Sequence, residues 1–261
     1  MEPVDHTVLY GDVTCWKCAL AHRRADLLRA SGHTIQWRAV ESQRALPVPG
    51  RRRSERESTR VLASLAQFGP QIRAGQRVPC YVTDMVPQTA AAVCAYAEAV
   101  VATVEDQVRD LLFAAYWMHG TDIGDPEVLR TLCAVEFMSS QATSDPIARF
   151  GYAVAMTREP ITGAAWRMIR QWREDWQQLR AQQLPVVTDS SGTPFGDAAL
   201  RRRADLLDKA PAITDRDQPR NLSPVRDWEP PGSVNPPEAW TSQVGDPWRR
   251  AGLIRRARMG G

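Results

Sequence analysis

The sequence predicts an α/β fold in which a β-α-β half and a β-β-α half are separated by a large helical insertion. Three observations carry this prediction. A strand, helix, strand pattern fills the first forty residues, helical signals dominate residues 54–183, and a proline-opened hairpin precedes a last helical run.

The first half is read from Thr7-Val8-Leu9-Tyr10-Gly11, a short apolar strand, followed by a helix over Ala19 to Ala30 with Leu20, Leu27 and Leu28 on its apolar stripe. Ser31-Gly32 supplies the stop, and Thr34-Ile35-Gln36-Trp37-Arg38-Ala39-Val40 alternates as a second strand does. A strand, helix and strand in so short a span favour parallel pairing with a right-handed crossover. Leu46 to Arg53, with Pro47, Pro49, Gly50 and three arginines, reads as a solvated loop in preference to an anion site.

Helices fill the middle. Ser54 with Glu57 forms a capping-box pattern, Thr103 with Asp106 resembles one, and Asp125-Pro126 and Asp145-Pro146 each set an N-cap residue before a helix-starting proline. The sole strand candidate in this block is Val78 to Val82. Trp166, Ile169, Trp172, Trp176 and Leu179 recur at steps of three and four, which predicts one packed helix face in preference to a ligand-stacking surface. Then Leu184-Pro185-Val186-Val187-Thr188-Asp189, a Ser190-Ser191-Gly192 turn and Thr193-Pro194-Phe195-Gly196 read as a hairpin, with Asp197 capping a final helix through Leu200, Leu206 and Leu207.

Eight prolines and no sustained periodicity in residues 211–261 predict a disordered or loosely docked tail, for which Trp228, Trp240 and Trp248 are candidate anchors and whose arginine-rich end reads as solvated in preference to binding an anionic surface. The expected organisation is therefore residues 1–50, the insertion 51–183, the closing half 184–210 and the tail 211–261.

Composition narrows the class. The chain has 261 residues, 43% hydrophobic and 24% charged, and a net charge of +3, which implies neither a nucleic acid nor a membrane partner. Residues 1–20 lack the apolar core of a signal peptide, and Ala90 to Thr103, broken by Glu98, is too short to span a bilayer, so a cytoplasmic protein is expected. Five cysteines in a reducing compartment are not a disulfide framework.

Cys15-Trp16-Lys17-Cys18 is the chemical signal. Placed between a strand and a helix, it puts two sulfurs on one turn, with Cys15 near the N–H groups and positive dipole end that favour a thiolate. Only Lys17 and Lys209 among the 33 basic residues are lysines. Lys17 would favour an ionised sulfur if it faced the cysteines, and would be a solvated side chain if it did not; the residues leave both readings open. Thr14 and Asp12 flank the motif, and Asp12 reads as a turn carboxylate in preference to a proton relay. Cys80, Cys94 and Cys133 have no tight spacing and read as buried thiols; His22, His33 and His119 make no metal-ligand spacing with them, and His6 is isolated, so no metal and no cofactor are expected.

The whole arrangement resembles the DsbA-like branch of the thioredoxin superfamily, cytoplasmic bacterial type. The resemblance rests on the placed Cys15-Trp16-Lys17-Cys18, on Leu184-Pro185 before the hairpin, and on the insertion stretch from Leu111-Leu112-Phe113-Ala114-Ala115-Tyr116-Trp117-Met118-His119 through Gly120 to Leu129. It covers residues 5–210. It implies a thioredoxin-like fold, Cys15 as nucleophile, Cys18 as resolving thiol, and Pro185 as a cis-proline facing the disulfide, with Leu184, Trp16, Lys17, Asp12 and Thr14 as neighbours. The implied activity is protein dithiol-disulfide exchange through a mixed disulfide, on a protein or small-molecule thiol or disulfide. Trp16-Lys17 lacks the proline or histidine that many relatives carry between the cysteines, which leaves the redox direction open. Two other readings stand beside it: a glutathione-dependent transferase or isomerase on the same scaffold, whose known relatives usually place serine where this chain has Cys15, and a non-enzymatic zinc or protein-binding module.

Overall fold

The computed structural model describes residues 7–72, 82–140 and 150–209. Chain order is β1 (Thr7–Gly11), α1 (Trp16–Ala30), β2 (Ile35–Ala39), β3 (Gly50–Arg52), α2 (Glu55–Phe68) with a 3-10 turn over Gly69–Gln71, β4 (Met85–Pro87), α3 (Ala90–Val101), α4 (Glu105–His119), α5 (Pro126–Ser139), α6 (Gly163–Leu179), β5 (Val186–Thr188) and α7 (Asp197–Lys209). The central sheet has the order β2-β1-β5. β1 runs parallel to β2, with Leu9 opposite Trp37 and Gly11 opposite Ala39, and antiparallel to β5, with Leu9 opposite Val187 and Tyr10 opposite Val186. β1 is buried along its whole length, as the middle strand of a sheet covered on both faces must be. The β-α-β half and its parallel pairing thus follow the apolar pattern.

α3 is the centre of the insertion. Every residue from Ala91 to Ala99 is buried, because α4, α5 and α6 all pack on this alanine-rich helix. Its lone charge, Glu98, is buried as well, and its Oε1 accepts the N–H groups of Ile161 and Thr162 at 2.6 and 2.7 Å while Oε2 accepts the Thr162 hydroxyl. A buried carboxylate needs such donors, and here they come from the entry to α6. No helix among the described residues is long and apolar enough to cross a membrane.

Local signals performed unevenly. The Ser54 capping box forms, with Glu57 N–H donating to Ser54 Oγ and Ser54 N–H to Glu57 Oε2, and Asp125 caps α5 with Pro126 at its first position. The Thr103 pattern does not: Thr103 takes a left-handed φ of 56°, and Val104 stands at the cap, because the short link between α3 and α4 needs a sharp reversal there. The expected loop over Leu46 to Arg53 contains β3, which pairs antiparallel with β4. Neither three-residue strand is long enough to show a period, so both were lost in polar and helical context. The expected hairpin is thinner than its pattern, since only β5 is a strand and the return makes single bridges, Val186 to Phe195 and Asp189 to Gly192. On α6, Ile169 and Trp172 are buried and Trp176 packs on Tyr10, but Trp166 stands 43% exposed, outside the packed stripe. His6, Cys80, most of Val78 to Val82, Asp145-Pro146 and the tail lie outside the described residues.

Candidate active site

The site is built where β1 hands the chain to α1. Gly11 ends the strand, and a Cβ there would meet Trp37 ring atoms at 2.3 Å and Cys18 Sγ at 3.3 Å. Glycine therefore lets both groups close on the strand end. The next three residues form a turn organised by Asp12, which is 1% exposed. Its Oδ1 accepts the Thr14 N–H and hydroxyl, both at 2.8 Å; its Oδ2 accepts the Ser42 N–H at 2.8 Å and hydroxyl at 2.6 Å. Asp12 is thus held in the turn by four accepted hydrogen bonds, and it fastens the segment after β2 to the cysteine turn. Ser42 carried no sequence signal, because its partner is 30 residues away.

Cys15 is the N-cap residue of α1, with φ −95° and ψ 116°, and its N–H donates to the Asp12 carbonyl at 3.1 Å. Cys15 is half-buried, whereas Cys18, on the same turn, is fully buried. Both thiols are free. Their ionisation is driven apart. The hydrogen bond from the Cys18 side chain holds the Cys15 thiol below the ordinary cysteine value; burial and the Asp12 carboxylate oppose this, and the backbone N–H groups of Cys18 and Lys17 at the helix start assist. Burial pushes the Cys18 thiol well above that value, and a neighbouring Cys15 anion pushes it further.

The dipeptide between the cysteines is anchored on both sides. Trp16 is buried and meets Phe68 of α2 edge to face at 5.6 Å. The Lys17 ammonium turns to Asp197, the first residue of α7, at 2.6 Å, and lies 5.7 Å over the Trp16 ring. Of the two readings of Lys17, a free solvated side chain does not describe it, since it is ion-paired across to the last helix.

The second half of the chain reaches the same place through β5. Leu184-Pro185 is a cis peptide, as is Val48-Pro49. Pro185 is buried and its carbonyl accepts the Gly196 N–H at 2.8 Å, while Leu184, like Cys15, packs partly buried against the core cluster that contains Cys18. Extending the β1–β5 register by one residue sets Pro185 opposite Gly11, so the proline and the cysteine turn sit at the same end of the sheet. The insertion contributes as well: the buried Trp117 of α4 donates its indole Nε1–H to the Val13 carbonyl at 2.7 Å. Trp117 stands in the stretch that carried the family resemblance, although only the fold reveals its partner. Cys94 and Cys133 are buried, with thiols pushed up to about 12 by burial.

Among the described residues one other cluster gathers donors, His22, Asp26 and Asp110. The buried Arg109 joins it: its Nε donates to His22 Nδ1 at 2.8 Å and its Nη2 lies 2.8 Å from Asp26 and from Asp106. It is an ion-pair network joining α1 to α4.

No protein-family model and no curated protein matches the chain. Solved structures do. A probable DsbA oxidoreductase from Streptomyces coelicolor superposes with a TM-score of 0.55 at 14% identity, over 79% of this chain and 89% of that one. The cytosolic disulfide reductase DsbM from Pseudomonas aeruginosa, solved with GSH, superposes at 0.50 and 12% identity, over 78% of this chain and 98% of that one. With its short sheet, the insertion between the two halves and the cysteine turn after β1, this chain has the DsbA-like form of the thioredoxin fold.

Proposed function

We propose that this protein is a cytoplasmic thiol-disulfide oxidoreductase in which Cys15 is the nucleophile, Cys18 the resolving thiol and Pro185 the wall facing the reacting sulfurs. The observation that carries the reading is the asymmetry of the pair: a half-buried Cys15 at a helix N-cap with its thiol lowered, beside a fully buried Cys18 with its thiol raised. Exchange needs one ready thiolate and one that is held back.

In the reducing direction the Cys15 thiolate attacks one sulfur of a substrate disulfide, forming a Cys15–substrate disulfide and releasing the other half as a thiolate. Cys18 then gives up its proton to solvent or to the leaving thiolate and attacks Cys15 Sγ. The mixed disulfide breaks, the Cys15–Cys18 bond forms, and the substrate leaves with two electrons. The oxidising direction is the reverse of these steps. A small thiol such as glutathione suits the partner class, a choice supported by the GSH in the cytosolic neighbour.

Equilibration of the reduced protein with glutathione redox buffers, followed by a mass-tag gel shift, tests the reading. One reversible two-electron couple is expected. Cys15→Ser abolishes it, and Cys18→Ser leaves a stable Cys15 mixed disulfide. Equal alkylation of Cys15 and Cys18 with no redox couple would sink the proposal, and turnover of an electrophile with glutathione that survives Cys18→Ser would favour a transferase.

A further inference from the structure

A lysine inside the first turn of α1 is misplaced by helix electrostatics. Cys15 is the N-cap, so Lys17 occupies the second helical position, at the positive end of the dipole, and the first turn holds no acidic residue of its own. The compensating charge comes from the far end of the described chain. Asp197, at the first position of α7, holds the Lys17 ammonium at 2.6 Å, with the two side chains 20% and 47% exposed. α1 and α7 pack along each other, which fixes that approach.

We propose that Asp197 is a positioning residue for the dithiol, which by holding the Lys17 ammonium keeps a bare positive charge off Cys15 and so sets how readily its thiolate forms. This rests on the reading of Cys15 as the nucleophile. Coulomb energy falls with distance, so a paired ammonium acts on a neighbouring sulfur as a weak dipole, whereas a released one acts as a full charge. The charged and polar groups that bear on Cys15 are Cys18 and the Lys17 backbone N–H on α1 and the Asp12 carboxylate just after β1, while the Lys17 ammonium is held at Asp197. The same helix start would therefore give a more acidic Cys15 without Asp197.

The test is the ultraviolet thiolate titration of Cys15 in wild type, Asp197→Asn, Asp197→Glu, Lys17→Met and the Lys17→Met/Asp197→Asn double variant. Releasing a charge at this partly buried helix end should lower the Cys15 midpoint in Asp197→Asn by about half to one pH unit, a three- to tenfold rise in thiolate at a pH below the midpoint. Asp197→Glu should restore the wild-type midpoint, and the double variant should titrate as Lys17→Met does. A stabilised thiolate favours the dithiol form, so the reduction potential of Asp197→Asn should rise by up to about 30 mV per tenfold. A midpoint unmoved in Asp197→Asn, or the same fall in the Lys17→Met background, overturns the proposal. If the pair only docks α7 on α1, thermal stability falls in Asp197→Asn and Lys17→Met alike while the titration stays put. Absence of any redox couple in wild type would instead refute the proposed function, since the titration does not depend on that couple.

Discussion

The indole of Trp117 on α4 reaches the carbonyl of Val13 in the turn before Cys15, at 2.7 Å and with both residues buried. This single bond ties the helical insertion to the turn that leads into Cys15. Trp117→Phe keeps most of the ring packing and removes the donor, leaving a buried carbonyl unpaired. A loss of about 1–3 kcal/mol in unfolding free energy is expected from urea denaturation, with faster alkylation of Cys15 as its turn loosens. Unchanged stability and an unchanged alkylation rate would show that the contact does not hold the loop.

Asp12 fastens the same turn from the other side. In Asp12→Asn one oxygen becomes an amide donor and faces donors of Thr14 or Ser42, so at least one of the four bonds is lost. Stability should fall by about 1–3 kcal/mol. Because the Asp12 charge disfavours the Cys15 anion, its removal should also move the Cys15 titration to lower pH. A shift to higher pH would mean that the lost hydrogen bonds, and not the lost charge, dominate.

Gly11→Ala tests the close approach at the end of β1. The added methyl would overlap the Trp37 ring and crowd Cys18 Sγ, so the buried ring would have to shift. Overpacking of this kind costs about 1–3 kcal/mol, readable by denaturation together with a change in tryptophan fluorescence.

Acid should weaken the joint between α1 and α4. Burial, with Arg109 assisting, holds the His22 imidazole below 6.5, while Asp26 and Asp110 only partly oppose this. The unfolded chain therefore takes up a proton first, and stability is complete above about pH 6.5 and declines as pH falls below it. Asp110 behaves in the ordinary carboxylate sense. Burial raises it, but the His22 hydrogen bond and the nearby cations outweigh that and hold it at about 2, so its contribution is present above 3.8 and lost as pH drops toward 2. Urea midpoints measured from pH 8 to 3 should show the first decline, and His22→Gln should flatten it. A first limb that survives His22→Gln would assign the acid sensitivity elsewhere.

Local pattern determined a good part of this protein. The apolar run of β1 and the alternation in β2, the Ser54 and Asp125 caps, the apolar run that became α3, and the strand-to-helix setting of Cys15 and Cys18 were all legible, because each depends on residues a few positions apart. The β3–β4 pair was not legible, since three-residue strands hold no period and gain their stability from a partner more than thirty residues away. The site divides in the same manner. Sequence put the two thiols on one turn and marked Lys17 as unusual; only the tertiary structure chose what faces them. Ser42 on Asp12, Trp117 on Val13, Phe68 on Trp16 and Asp197 on Lys17 come from four different elements or loops. The difference in burial that separates the two thiols is likewise a property of packing, and no spacing within a C-x-x-C encodes it.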